Sequence, residues 1–338
     1  MRVTGWHPSI ARGAGARARS LSAACGLFAI LLCSAVSGAE DYPQRPVKII
    51  TGGSVGGPVD IASRAIANKL SESWGQSVIV ENRLGANELI ATETVARAKP
   101  DGYTLLVSAN PFTHNPSLFS KLSYDVDRDF IAVTQLAQAA MAVVCASRSK
   151  LDSIATLVSE ARAHPDKLSW ASAGIGTNNH IAGEQFASAA HIQMLHVPFK
   201  GSQGAVTGVL AGEVDFGVVA LSSVLPLAKA GSVRTLAVMT ERRSLLAPDL
   251  PTLAEQGLPG IDAAVPAGLH VPAGTPEVIV AKLNRDFNHA LQDPVLRERL
   301  LSLGLEPLGT TPQEFAARIR RTAAAVQQTV RENRIRLD

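Results

Sequence analysis

The chain has 338 residues, a formal net charge of +3 at pH 7, 46% hydrophobic and 18% charged side chains, proportions of a globular protein that exclude wholesale disorder. Four of the 32 basic residues (Arg2, Arg12, Arg17, Arg19) fall within the first 39 positions, where there is no acid, so 28 basic side chains face 29 acidic ones in the rest. The body is therefore near neutral and lacks the cation excess that a phosphate backbone demands, so no nucleic-acid partner is expected. Residues 1–39 read as a secretory signal peptide, with arginines up to Arg19, an apolar run over 21–36, and Ser37-Gly38-Ala39 ahead of Glu40. The run falls short of the roughly 20 residues of a spanning helix. Cleavage at Ala39 and a periplasmic location are expected, with an uncleaved N-terminal anchor as the alternative. Cleavage leaves Cys145 as the single cysteine, which excludes an intramolecular disulfide and a cysteine-based zinc site. Cys145 lies in the apolar run Met141–Ala146 and reads as a small core residue.

Beyond the leader, short β-like runs alternate with helical segments. Val47–Thr51 is a first strand. Pro58–Trp74 is a helix with Ile61, Ala65 and Leu70 on its apolar face, proline in its first turn and Gly75 at its end. A strand over 78–80, a helix over 89–98, a Pro100-Asp101-Gly102 turn and a strand over 104–107 follow. Further strands are expected over 131–136, 141–146, 168–171, 194–197, 216–219 and 235–239. Helices are expected between them, over 154–163, 181–190, 205–211 and 224–230. The chain ends in helices over 276–291, 294–303 and 312–330. This alternation predicts an α/β protein with mainly parallel sheets flanked by helices. In such sheets ligands meet the loops at the carboxyl ends of strands, here 52–58, 108–116, 172–180 and 198–204.

The first loop, Gly52-Gly53-Ser54-Val55-Gly56-Gly57-Pro58-Val59-Asp60, contains a G-x-S-x-G pattern with Ser54 at its centre. It follows the first strand of the body rather than a later one, and no partnering Asp and His stand out, which argues against a serine hydrolase. The spacing fits neither a dinucleotide fingerprint nor a phosphate loop. What survives is close backbone approach and free amides at a helix start, which attract an anion. The second loop, Ser172-Ala173-Gly174-Ile175-Gly176-Thr177-Asn178-Asn179-His180, repeats that logic about 120 residues later. Thr177 or Asn178 would either cap the following helix or donate to a carboxylate. Facing helix N-termini would clamp one small anion. Asp215 is a solvated turn residue or an acceptor for a ligand ammonium or hydroxyl. The histidines show no metal spacing, and no metal or cofactor is expected. Aromatics make up 4% of the chain, with Trp74 and Trp170 outside the loops, which disfavours a stacked sugar.

Several stretches together resemble the substrate-binding receptors of tripartite tricarboxylate transporters, the Bug receptors. They include Tyr42-Pro43-Gln44-Arg45-Pro46-Val47, Gly56-Gly57-Pro58-Val59-Asp60, Val80-Glu81-Asn82-Arg83 and Lys99-Pro100-Asp101-Gly102-Tyr103-Thr104-Leu105-Leu106. Further on come Ser172-Ala173-Gly174-Ile175-Gly176-Thr177, His196-Val197-Pro198-Phe199-Lys200-Gly201 and Pro272-Ala273-Gly274-Thr275-Pro276. The resemblance implies a two-lobed, type II-like periplasmic binding protein that hinges over a small carboxylate: a dicarboxylate, an amino acid or an aromatic acid. It implies delivery to the membrane permease subunits of such a transporter, with no enzymatic activity. The ligand would meet the Gly56-Gly57 loop from one side and the Gly174–Thr177 loop from the other, with Ser108 and Asp215 nearby. The chain departs from the family pattern at Gly52-Gly53, where Pro-Phe is usual. It departs again at Asn87-Glu88 within Gly85-Ala86-Asn87-Glu88, where Gly-Ala-Gly-Gly is usual, and at Pro266, where tryptophan is frequent.

The full expectation is a signal peptide over 1–39, one lobe from 40–140 plus 255–338, and a second from 141–254. The ligand-binding residues would be Ser54, Val55, Gly56, Gly57, Asp60, Ser108, Gly174, Gly176, Thr177, Asn178 and Asp215. The protein would act as a monomer. The alternatives are a ligand-presenting partner of a membrane signalling protein, and the hydrolase using Ser54.

Overall fold

In this computed structural model the described residues are 1–3, 5 and 42–336; the expected signal peptide lies almost wholly outside them. Strand β1 (Val47–Thr51) leads through the glycine loop into α1 (Pro58–Trp74), then β2 (Val78–Asn82), α2 (Leu89–Ala96), β3 (Thr104–Ser108), α3 (Pro111–Leu118), the single turn α4 (Val126–Asp129) and β4 (Phe130–Ala139). Next come β5 (Met141–Ala146), α5 (Ile154–Ala163), β6 (Ser169–Ser172), α6 (Asn178–Ala190), β7 (Leu195–Pro198), α7 (Gly201–Ala211), β8 (Phe216–Ala220), α8 (Leu221–Lys229) and β9 (Val233–Val238). The chain closes with β10 (Val265–Pro272), α9 (Glu277–Ala290), α10 (Pro294–Ser302), β11 (Glu306–Pro307) and α11 (Pro312–Glu332).

The strands form a six-stranded sheet, ordered β11-β4-β10-β3-β1-β2, and a five-stranded sheet, ordered β7-β6-β8-β5-β9. Both sheets belong to the compact unit that begins at Pro43. The α/β class stands, but the sheets are mixed rather than mainly parallel. Strand β1 runs parallel to β2 and β3, whereas β10 is antiparallel to β3 and β4, and β11 to β4. In the second sheet β6 is parallel to β7 and β8, and β5 is antiparallel to β8 and β9. The reason lies in one connection. Only Ala140 separates β4 from β5, so the chain passes straight from one sheet to the other, and no crossover helix exists to return β5 parallel to its neighbours. The chain comes back through 239–264, and β10 enters the centre of the first sheet.

Local chemistry sets the boundaries. Pro58 occupies the first turn of α1, and Gly75 ends that helix in the left-handed region at φ 63°. Helix α11 begins with a reciprocal capping box between Thr311 and Glu314. One core of the second sheet gathers Val143, Trp170, Phe186, Phe216 and Val218. In the first sheet Phe112, Tyr124, Phe130 and Phe315 pack with Ile50 and Leu106. Leu118 of α3, Ile181 of α6, and Val326 and Val330 of α11 form a further buried cluster. That cluster ties the helix after the second glycine loop to helices of the first sheet. No helix among the described residues is long and apolar enough to cross a membrane.

Candidate ligand-binding site

Because β2, β1 and β3 are adjacent and parallel, their carboxyl ends place Asn82, the loop 52–57 and residues 108–110 along one edge. Asp60 organises the loop. It is 2% exposed, and its Oδ2 accepts from Gly56 N at 2.9 Å and Arg64 Nε at 3.1 Å. Its Oδ1 accepts from Asn82 Nδ2 at 2.8 Å and lies 3.0 Å from Arg64 Nη2. Burial alone would push the Asp60 carboxyl up, but donors from Arg64, Gly56 and Asn82 outweigh it and hold it below its ordinary value. Asp60 is thus a loop organiser rather than a ligand contact. Gly57 N donates to the Ser54 carbonyl at 2.9 Å. Gly56 and Gly57, expected as amide donors to an anion, therefore spend their N–H groups within the chain. The open donors lie beside them: α1 has no side-chain cap, which leaves the first-turn amides of Val59 and Asp60 unmet by the helix. Ser54 is exposed and Val55 is 69% exposed.

Ser108 is 3% exposed, and its Oγ lies 2.8 Å from His270 Nε2. Its hydroxyl is committed to the core, where burial pushes His270 down to about 3. The histidine-bonded serine on this edge is Ser108, not the Ser54 of the hydrolase alternative. The turn 85–88 folds over the glycine loop. Glu88 crosses Gly52 so closely that a Cβ there would stand 2.5 Å from Glu88 Cγ. Glu88 Oε2 accepts from Ala109 N at 3.3 Å, and burial pushes this carboxyl up. The neighbouring Asn110 is 5% exposed, and neither polar atom of its side chain has a partner. Composition and periodicity did not single out Glu88 or Asn110. The departure from the family pattern at Asn87-Glu88 was the one available signal for the former.

In the second sheet the loop after β6 is closed on itself. Gly174 N donates to Ser172 Oγ at 3.1 Å, and Gly176 N donates to His180 Nδ1 at 3.1 Å. Thr177 caps α6: its Oγ1 accepts from His180 N and donates to the Gly174 carbonyl at 2.6 Å. Of the two roles expected for Thr177, the structure assigns capping. Asn178 Nδ2 donates to the Ala263 carbonyl at 2.8 Å. Behind the loop, His196 stacks on His180 and packs at a tilt against Trp170, with ring centroids 4.1 and 4.4 Å apart. Burial, aided by neighbouring His180, pushes His196 down to about 4. Asp215 is misplaced for the expected role. It precedes β8 and accepts from Ser169 N at 2.8 Å and Ser169 Oγ at 2.9 Å. Ser169 opens β6, so Asp215 sits at the amino end of the parallel strands, away from the loop at their carboxyl end.

Among the expected residues only Asn178 lines the cavity of about 300 Å³ between α6, α11 and 260–264, which His114 also lines. Both arginines that line it are already paired, Arg318 with Asp262 at 2.7 Å and with Gln135 and Gln138, and Arg321 with Glu241 at 3.3 Å. That pairing leaves little for an anion. The exposed edge around 52–57 is the better place for one. No cluster of three or more His, Cys, Asp or Glu among the described residues could hold a metal ion.

The mixed two-sheet fold, with the loops described above at the carboxyl ends of β1, β3 and β6, is shared with solved periplasmic solute-binding proteins. The family model described as tripartite tricarboxylate transporter family receptor matches residues 62–334, and the chain belongs to that family. It is 35% identical to the UPF0065 protein in the tcbD-tcbE intergenic region of Pseudomonas sp. (strain P51), over 88% of each chain. A solved TctC solute-binding protein from Polaromonas superposes with a TM-score of 0.81 at 25% identity, covering 86% of this chain and 99% of that one. MatC from Rhodopseudomonas palustris with bound malate superposes with a TM-score of 0.66 at 30% identity, covering 86% and 100%.

Proposed function

We propose that this receptor captures a small carboxylate and hands it to the permease subunits of a tripartite tricarboxylate transporter. The observation that carries this reading is the exposed loop Gly52–Gly57. Asp60, Arg64 and Asn82 brace it, and it ends at a helix whose first-turn amides have no side-chain cap. Uncharged donors of this kind hold an anion without burying a cation. The malate-bound relative supports a carboxylate as the chemical class. The two sheets are the cores of two lobes, 40–140 plus 255–338 and 141–254, that close over the ligand because it binds the closed state better. Residues 1–39 are a signal peptide that directs a monomeric receptor to the periplasm. A thermal-shift panel of organic acids on the mature protein tests the reading, since a ligand stabilises the state it binds. At least one carboxylate should raise the midpoint in a concentration-dependent way. A panel without any such response refutes the proposal.

A further inference from the structure

Two departures from the family pattern, Gly52-Gly53 and Asn87-Glu88, lie far apart in sequence and touch in space. A Cβ on residue 52 would stand 2.5 Å from Glu88 Cγ, 2.6 Å from its Cβ and 2.9 Å from its Cα. Only glycine at 52 lets Glu88 lie across the loop. The turn that carries Glu88 is built at a cost. Ala86, Asn87 and Glu88 all sit in the left-handed region, at φ 46°, 51° and 66°. Such conformations persist in non-glycine residues where surrounding contacts enforce them, and they concentrate at functional sites. Here the enforcing contacts are Asn87 Nδ2 to Asn115 Oδ1 at 2.6 Å and Asn115 Nδ2 to the Asn87 carbonyl at 2.9 Å.

The carboxylate delivered by this turn has little to satisfy it. Its hydrogen bond comes from Ala109 N at 3.3 Å, and no cation among the described residues pairs with it. A desolvated carboxylate without a counter-ion is unfavourable. Next to Ala109, the side-chain amide of Asn110 is 5% exposed and has no partner for its oxygen or its nitrogen. Glu88, with one long hydrogen bond and no cation, and the unpartnered Asn110 oxygen are acceptors on this edge, and what the carboxylate lacks is a donor carrying positive charge; the unpartnered Asn110 nitrogen beside them is free to donate to a ligand oxygen.

We propose that Glu88 receives a cationic nitrogen of the ligand, and that the ligand is an amino acid rather than a plain di- or tricarboxylate. The inference rests on the carboxylate-receptor reading above and narrows it. The ligand carboxylate faces the uncapped first turn of α1, and its ammonium faces Glu88 across Gly52. An ammonium supplies up to three donors, enough for both Glu88 and Asn110. A desamino acid offers none there, and its net charge is one unit more negative beside Glu88.

Calorimetric titration of the mature protein with matched pairs tests this: L-aspartate against succinate, L-glutamate against glutarate, L-alanine against propionate and L-phenylalanine against phenylpropionate. The amino member of the best-binding pair should bind at least about tenfold tighter, the lower end of what a hydrogen bond to a charged group contributes. Glu88→Gln should abolish that preference. Gly52→Ala, which displaces Glu88 without altering its chemistry, should reduce it. Equal affinity within each pair, or a preference that survives Glu88→Gln, overturns the inference and leaves the carboxylate receptor standing. A response to neither half of any pair overturns both.

Discussion

Replacing Asp60 by asparagine separates bracing of the glycine loop from contact with ligand. Each Asp60 oxygen faces two donors: Oδ1 accepts from Asn82 Nδ2 and pairs with Arg64 Nη2 at 3.0 Å, and Oδ2 accepts from Gly56 N and Arg64 Nε. Whichever way an asparagine amide is turned, its NH2 meets two donors, so two favourable contacts are lost. At roughly 0.5–1.5 kcal/mol net for each bond, that is about 1–3 kcal/mol. The Arg64 side chain is 46% exposed, so loss of the charge adds at most about 1 kcal/mol. A total of about 1–4 kcal/mol should appear as a lower urea midpoint with an unchanged slope. Carboxylate affinity should fall in parallel, because Gly56 is released and the entrance to α1 loosens. The protonation sign is definite as well. The folded carboxyl is held below its ordinary value, so its stabilisation is present above the unfolded pKa and is lost as pH falls through the folded one. The Asp60→Asn protein should lack this acid-dependent component. An unfolding free energy within about 0.5 kcal/mol of wild type, together with lost affinity, would refute the bracing role and return Asp60 to the ligand.

Thr177→Ala should cost about 1 kcal/mol of stability by removing the α6 cap, yet leave carboxylate affinity within about threefold; a tenfold loss in titration would place the hydroxyl on the ligand. Gly183→Ala sets a Cβ 2.1 Å from two ring atoms of buried Trp170, so an overpacking cost of roughly 1–3 kcal/mol should outweigh the gain of at most about 1 kcal/mol from better helix propensity. Urea unfolding that shows the Gly183→Ala protein more stable than wild type contradicts this. Burial pushes His114 down to about 4 and His270 down to about 3, from an ordinary 6.5. The unfolded chain therefore takes up these two protons first, and stability should fall as pH drops below about 6.5, by up to roughly 2.7 kcal/mol per pH unit for the pair. Unfolding free energies that stay flat between pH 6.5 and 4.5 would contradict it.

The elements that periodicity reached were those with a strong apolar rhythm and a clear stop, such as Pro58–Trp74 before Gly75. Two were hidden for identifiable reasons. Helix α3 reads Pro-Phe-Thr-His-Asn-Pro-Ser-Leu, with proline at its start and again at Pro116. It buries Thr113, His114 and Asn115, polar residues that a hydrophobic pattern passes over. Strand β10 contains Pro266 and Gly268 at the centre of a sheet, where proline is ordinarily excluded. Register shifts at Ala267/Gly268 and Leu269/His270 absorb the irregularity. Gly268 is required there because a Cβ would meet the Phe315 ring at 2.3 Å. The antiparallel half of each sheet was equally illegible, since it follows from the passages between the sheets, at Ala140 and through 239–264, that no local pattern announces.

The two glycine loops looked equivalent as sequence and differ once their donors are followed. In the second, Gly174, Gly176 and Thr177 all spend their donors within the loop and on His180, and a side chain caps the helix it feeds. In the first, Gly56 and Gly57 are spent but the helix behind them is uncapped. A strand followed by glycines cannot reveal which amides remain free, because that depends on Asp60 and Asn82 reaching back from other elements. The asymmetry has a functional corollary. On the proposed reading, an anion bound through main-chain donors would be held chiefly by the first loop, with the second contributing shape. Affinity should therefore respond strongly to changes at 54–60 and weakly to changes at 174–178, the reverse of what equal glycine content suggests.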